Sequence, residues 1–149
     1  MSLPDNTAEI AALYQELILD HYRKPRNKGK LENADATIEM RNPLCGDEVD
    51  LQVIYSGDSI GDVKFSGRGC SISQASASMM TQIIKGKSRE EIDAIRARFR
   101  DLIMGDMAAA EDKSLGSLRA LSGVSKFPAR VKCALLAWNA LETALENRK

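Results

Sequence analysis

No run in this sequence approaches the roughly 20 apolar residues that a membrane-spanning helix needs. The first residues, Met1 to Glu9, show neither the basic start nor the apolar stretch of a secretory signal. Net charge is missing as well. The 21 lysines and arginines balance 21 aspartates and glutamates, so no overall field draws the chain to nucleic acid or to an anionic membrane, and any partner is recognised locally. Histidine occurs once and cysteine three times, too few cysteines for a disulfide framework, while 149 residues suffice to bury a core without one. A single cytoplasmic domain spanning 1–149 is the expectation, without nucleic acid or membrane as partner. In a reducing compartment, widely separated cysteines are buried, metal-bound or reactive rather than bridged.

The hydrophobic period changes once along the chain. Asn6-Thr7-Ala8-Glu9 has the form of a capping box, and Ile10, Leu13, Tyr14, Leu17 and Ile18 recur at helical spacing, predicting a helix to about Tyr22. Pro25 ends it, and Arg26 to Lys30 reads as a polar loop. From Thr37 the period becomes two: Ile38 and Met40, then Val49, Leu51, Val53 and Tyr55, then Val63 and Phe65, with Ser56-Gly57-Asp58 as a turn. Three antiparallel strands with one exposed face follow, the last two forming a hairpin.

Helical signals then take over. Ile72 to Ile84 is rich in small residues and predicts a helix packed closely on the sheet; Ser88-Arg89-Glu90-Glu91 is a second capping box, followed by a stripe of Ile92, Ile95, Phe99, Leu102 and Ile103. Gly105 to Ser114 reads as an exposed connection, and Leu115, Leu118 and Leu121 as a short helix ended by Gly123. Pro128 opens a last helix carrying Val131, Leu135, Trp138, Leu141 and Leu145. Strands early and helices late describe an α+β domain, a small three-stranded antiparallel sheet covered by helices on one side. Tyr14, Trp138 and the methionines fall on apolar stripes and read as core.

Chemistry concentrates around the cysteines. Pro43-Leu44-Cys45-Gly46-Asp47 joins two predicted strands, where proline and glycine specify an irregular, exposed connection and a thiol and a carboxylate two residues apart can converge. Gly67-Arg68-Gly69-Cys70 places Cys70 at a strand-to-helix junction, where helix N-termini favour thiolates and glycines permit close backbone approach. Cys133 falls in the second turn of the last helix. Together with Asp47 the three cysteines can supply four ligands to a tetrahedral site of the kind zinc accepts; the opposing interpretation is that they are ordinary buried cysteines, which the spacing does not exclude. Arg68, Lys126, Arg130 and Lys132 are available to offset the two negative charges that three thiolates and a carboxylate leave around Zn²⁺. His21, at the end of the first helix among Arg23, Lys24 and Arg26, reads as structural.

Four ordered segments, His21 to Asn27, Asn42 to Asp47, Phe65 to Ser73, and Val131 to Cys133, resemble the NifU-like family of iron-sulfur cluster assembly proteins over nearly the whole chain. The resemblance implies a SufE/NifU-like α+β fold and a metal site of Cys45, Asp47, Cys70 and Cys133. In the IscU branch the last cysteine follows a histidine and a Leu-Pro-Pro-Val-Lys segment lies upstream; here Lys132 and Phe127-Pro128-Ala129-Arg130-Val131 stand in those places. The sequence is more similar to the SufU branch, which lacks that histidine and carries an extra segment between the second and third cysteines, matched here near 86–116. SufU resemblance implies a zinc-bound acceptor that takes persulfide sulfur from a SufS-like cysteine desulfurase, with Cys45 as the acceptor thiol, and passes it to downstream iron-sulfur assembly proteins. The alternatives are a scaffold that builds and transfers a labile iron-sulfur cluster on the same residues, and a purely structural zinc site.

Overall fold

The computed structural model describes residues 7–44 and 46–147, with side chains from Leu13 onward. The Asn6 end of the first capping box lies outside the described residues, and so does Cys45. Helix α1 spans Thr7–Arg23; strands β1 (Ala36–Asn42), β2 (Asp47–Ser56) and β3 (Ser59–Arg68) form one antiparallel sheet in the order β1-β2-β3. Helices α2 (Ser71–Ile84), α3 (Arg89–Ile103) and α4 (Met107–Ala110), a 3-10 segment (Lys113–Lys126) and α5 (Pro128–Asn147) complete the chain. The α+β architecture expected from the change of period is the one observed.

Period-two patterning sets the sheet's two faces. Leu51 pairs with Ile38 on one side and Phe65 on the other, and Val53 with Ala36 and Val63, so one face is apolar and packs on α2 and α5. The other carries Glu39, Arg41, Glu48 and Arg68, linked by ion pairs of Glu48 with Arg41 (3.2 Å) and with Arg68 (3.1 Å). The Arg26–Lys30 stretch is more than a polar loop. Phe65 N–H donates to Asn27 O (3.0 Å) and Gly29 N–H to Phe65 O (2.9 Å), which closes part of the outer edge of β3 where backbone groups would otherwise lack partners.

Small residues let α2 sit at the centre of the molecule. Ser73, Ala75, Ser76, Ala77 and Ser78 are all fully buried, and their hydroxyls have partners: Ser76 Oγ donates to Ala134 O (2.6 Å) and accepts from Trp138 Nε1 (3.2 Å). Trp138 stacks on Phe99, ring centres 4.7 Å apart, joining α5 to α3. The second capping box is present in full: Ser88 Oγ accepts Glu91 N–H, and Glu91 accepts Ser88 N–H.

Three expectations about the later elements and the core need correction. The Gly105–Ser114 connection contains α4 and buries Ala109, because Asp106 caps the turn through Ala108 N–H. The short helix predicted to end at Gly123 is a 3-10 segment that runs on to Lys126, with a break at Gly116. Not every methionine or stripe residue is core. Met104 and Met107 lie exposed at the α3–α4 turn and Leu13 is 67 % exposed, because α1 rests on the core through Tyr14, Leu17 and Ile18.

Candidate metal centre

Each side chain of the centre is positioned by a different element. Asp47 is the first residue of β2, Cys70 the N-cap of α2 and Cys133 a residue of the second turn of α5. Because α2 and α5 both cover the apolar face of the sheet, their ends meet the end of β2. One ligand atom from each of Asp47, Cys70 and Cys133 lies within 4.8 Å of the others.

Asp47 is fully buried, not part of an exposed connection. A buried carboxylate requires partners; Oδ1 accepts the Cys70 backbone N–H at 2.8 Å and Oδ2 lies 3.8 Å from Cys70 Sγ. Cys133 is buried, Cys70 half-buried, and Cys133 Sγ donates to Ala129 O at 3.6 Å. The donor set suits zinc: with Zn–S bonds of about 2.3 Å and Zn–O bonds of about 2.1 Å, a tetrahedral sulfur and oxygen stand about 3.6 Å apart, close to the 3.8 Å between Cys70 Sγ and Asp47 Oδ2.

Of the cations available to offset the centre's charge, Arg130 lies against the thiols. The Cys70 charge, then hydrogen bonds to Cys133 and Cys70, raise its already high pKa. Arg68 instead turns to Glu48 at 3.1 Å. His21 stands apart from the centre, buried against α2 with Nδ1 2.8 Å from Ser78 Oγ. Burial and the Arg26 charge lower its pKa to about 4, against a smaller opposing effect of Asp20.

Ser73, the last residue of the Phe65–Ser73 segment but given no role of its own from sequence, and Gln74, which the sequence did not mark, tie the centre together. Ser73 Oγ donates to Cys70 O (3.1 Å), and Gln74 Nε2 donates to Ser73 Oγ (3.3 Å) and to Glu48 O (3.5 Å). The available signal was the Ser73-Gln74 pair directly after the Cys70 junction, a weak one in a helix that also carries Ser76, Ser78, Thr81 and Gln82.

The model of the NifU-like N terminal domain matches residues 13–148. This chain belongs to the NifU-like family. It is 50% identical over 135 residues, covering 91% of the chain and 90% of the relative, to the zinc-dependent sulfurtransferase SufU of Bacillus subtilis. It is 43% identical over 139 residues, 93% and 86% of the two chains, to the iron-sulfur cluster assembly scaffold protein IscU of Streptococcus pyogenes. A crystal structure of a candidate iron-sulfur cluster assembly scaffold protein for the SUF system, from Fervidobacterium islandicum, superposes with a TM-score of 0.79 at 40% identity, covering 87% of this chain and 94% of that one. For this NifU-like chain, fold and family thus agree with the sequence motifs.

Proposed function

We propose that this chain is a sulfur acceptor of iron-sulfur cluster assembly that holds zinc through Cys45, Asp47, Cys70 and Cys133 and takes persulfide sulfur from a SufS-like cysteine desulfurase on Cys45. The observation that carries this reading is the meeting of Asp47, Cys70 and Cys133 within 4.8 Å, in a chain half identical to a zinc-dependent sulfurtransferase. Zinc, when bound, stabilises thiolates and adds its binding energy to the folded state.

The chain's own residues supply the rest. Asp47, Cys70 and Cys133 sit on a strand and two helices and hold position, whereas Cys45 belongs to the connection between Asn42 and Asp47. A loop thiolate can enter a partner's active site; one inside a helix cannot readily do so. The Cys45 thiolate attacks the outer sulfur of the desulfurase persulfide, a new S–S bond forms as the old one breaks, the desulfurase cysteine leaves as thiolate, and Cys45 carries the persulfide. Delivery to a downstream iron-sulfur assembly protein repeats the exchange. Arg130 offsets charge at the centre throughout. In this reading 1–149 acts as one cytoplasmic domain and 86–116 is the SufU-type insertion.

A second reading, a scaffold on which an iron-sulfur cluster is built, is favoured by the scaffold relative from Streptococcus pyogenes. Metal analysis with an absorption spectrum of anaerobically purified protein separates the two. A colourless protein with about one zinc supports the acceptor; a brown one with iron and acid-labile sulfide supports the scaffold. With zinc present, full stimulation of desulfurase turnover by Cys45→Ala reduces the site to a structural one.

A further inference from the structure

Asp47 is buried at the start of β2 and its two oxygens have different environments. Oδ1 accepts the Cys70 N–H at 2.8 Å, and Oδ2 faces Cys70 Sγ at 3.8 Å. The space that Oδ1 fills is the space a side chain on residue 69 would take. A Cβ at Gly69 would collide with Oδ1 of Asp47, stand 2.9 Å from its Cγ and 2.8 Å from Ser73 Oγ.

Neither neighbour yields easily. Asp47 is held by its pairing with Asn42 in the ladder. Ser73 Oγ donates to Cys70 O and accepts from Gln74 Nε2. The backbone of Gly69, at φ 152°, is also one that residues with side chains avoid.

We infer, on the reading that Asp47 is a metal ligand, that Gly69 is a positioning residue of the centre: its missing side chain lets the Cys70 N–H grip Oδ1 and reserves Oδ2 as the single oxygen ligand. A carboxylate oriented through its second oxygen is a metal ligand whose partners matter, and loss of such an outer hydrogen bond typically weakens metal affinity by about 10- to 100-fold. Gly69 therefore acts on the metal only through Asp47.

A double-mutant cycle tests this. Wild type, Gly69→Ala, Asp47→Ala and the double variant are loaded with zinc, and release to a chromophoric chelator is timed without oxygen. The two single variants are expected to release zinc about 10- to 100-fold faster than wild type. The double variant is expected to match Asp47→Ala within about twofold, because the added methyl enters space the carboxylate has left. Backbone strain at position 69 and the close approach to Ser73 Oγ are present in both backgrounds and cancel. Equal acceleration by Gly69→Ala in the two backgrounds overturns the inference, and so does wild-type release by Gly69→Ala alone. Wild-type release by Asp47→Ala instead overturns the ligand reading, and the inference with it. Should Gly69→Ala alone not fold, the double variant is still expected to fold and to release zinc as Asp47→Ala does; a double variant that does not fold overturns the inference.

Discussion

At the scale of single residues, burial decides which polar groups have something to lose. Cys133 is buried in a helix and Cys70 caps one, so Cys70→Ser and Cys133→Ser remove a donor without disturbing the backbone. Each is expected to weaken zinc binding at least about tenfold and to lower the melting temperature of the zinc-loaded protein, measured by competition with a chelator and by calorimetry. Unchanged affinity in both would return these cysteines to ordinary core. His21 gives a prediction independent of metal. Ser78 Oγ accepts the Arg26 N–H at 2.8 Å, leaving its hydroxyl hydrogen for Nδ1 of a neutral imidazole. The folded pKa is about 4 against 6.5 for the free side chain, so the unfolded chain binds the extra proton between those values. Stability from His21 is complete above pH 6.5, declines as pH falls towards 4, and levels off below; its full range is on the order of 3 kcal/mol. Urea unfolding of zinc-free protein across pH 4 to 7 should show this slope, and His21→Gln should flatten it.

At the scale of elements, helix ends and the packing of the 86–126 region carry most of what is testable. The α3 start was legible from Ser88 and Glu91 because a capping box is local, needing only residues three apart. Ser88→Ala should cost about 1 kcal/mol and lower the melting temperature by roughly 3 °C with an unchanged urea slope. A large change in slope would mean that α3 is not folding with the rest of the molecule. The α3–α4 region was less legible. Arg98 reaches Asp112 at 3.0 Å, and both Asp101 and Asp106 at 3.6 Å, joining α3 to two later segments. Only the Asp101 pair follows helical spacing; Asp106 and Asp112 lie beyond the helix, where no periodicity announces them, and α4 is too short to show one.

For the molecule as a whole, a metal held between β2, α2 and α5 is a cross-link between elements distant in the chain. Zinc at about 1,000 times its dissociation constant is expected to add about 4 kcal/mol of stability, and its removal by a chelator to lower the melting temperature by roughly 10 °C. Restoration on adding zinc back would distinguish this from irreversible loss of fold; a melting temperature indifferent to chelation would rule out a metal at this junction. Alternation in β2, helical spacing in α5, the break at Pro25 and the family motifs were all present in the sequence by itself, and they determined the α+β class, the strand order's hairpin and the identity of the residues worth watching, because each depends on neighbours within a few positions. Only the tertiary structure decided that Asp47 is buried beneath Gly69, that Arg130 rather than Arg68 lies against the thiols, that Asn27 and Gly29 close the edge of β3, and that Met104 and Met107 face outward. Those outcomes depend on how the helices and loops pack on the sheet and on one another, and that is set by the summed packing of side chains far apart in sequence, which no local pattern encodes.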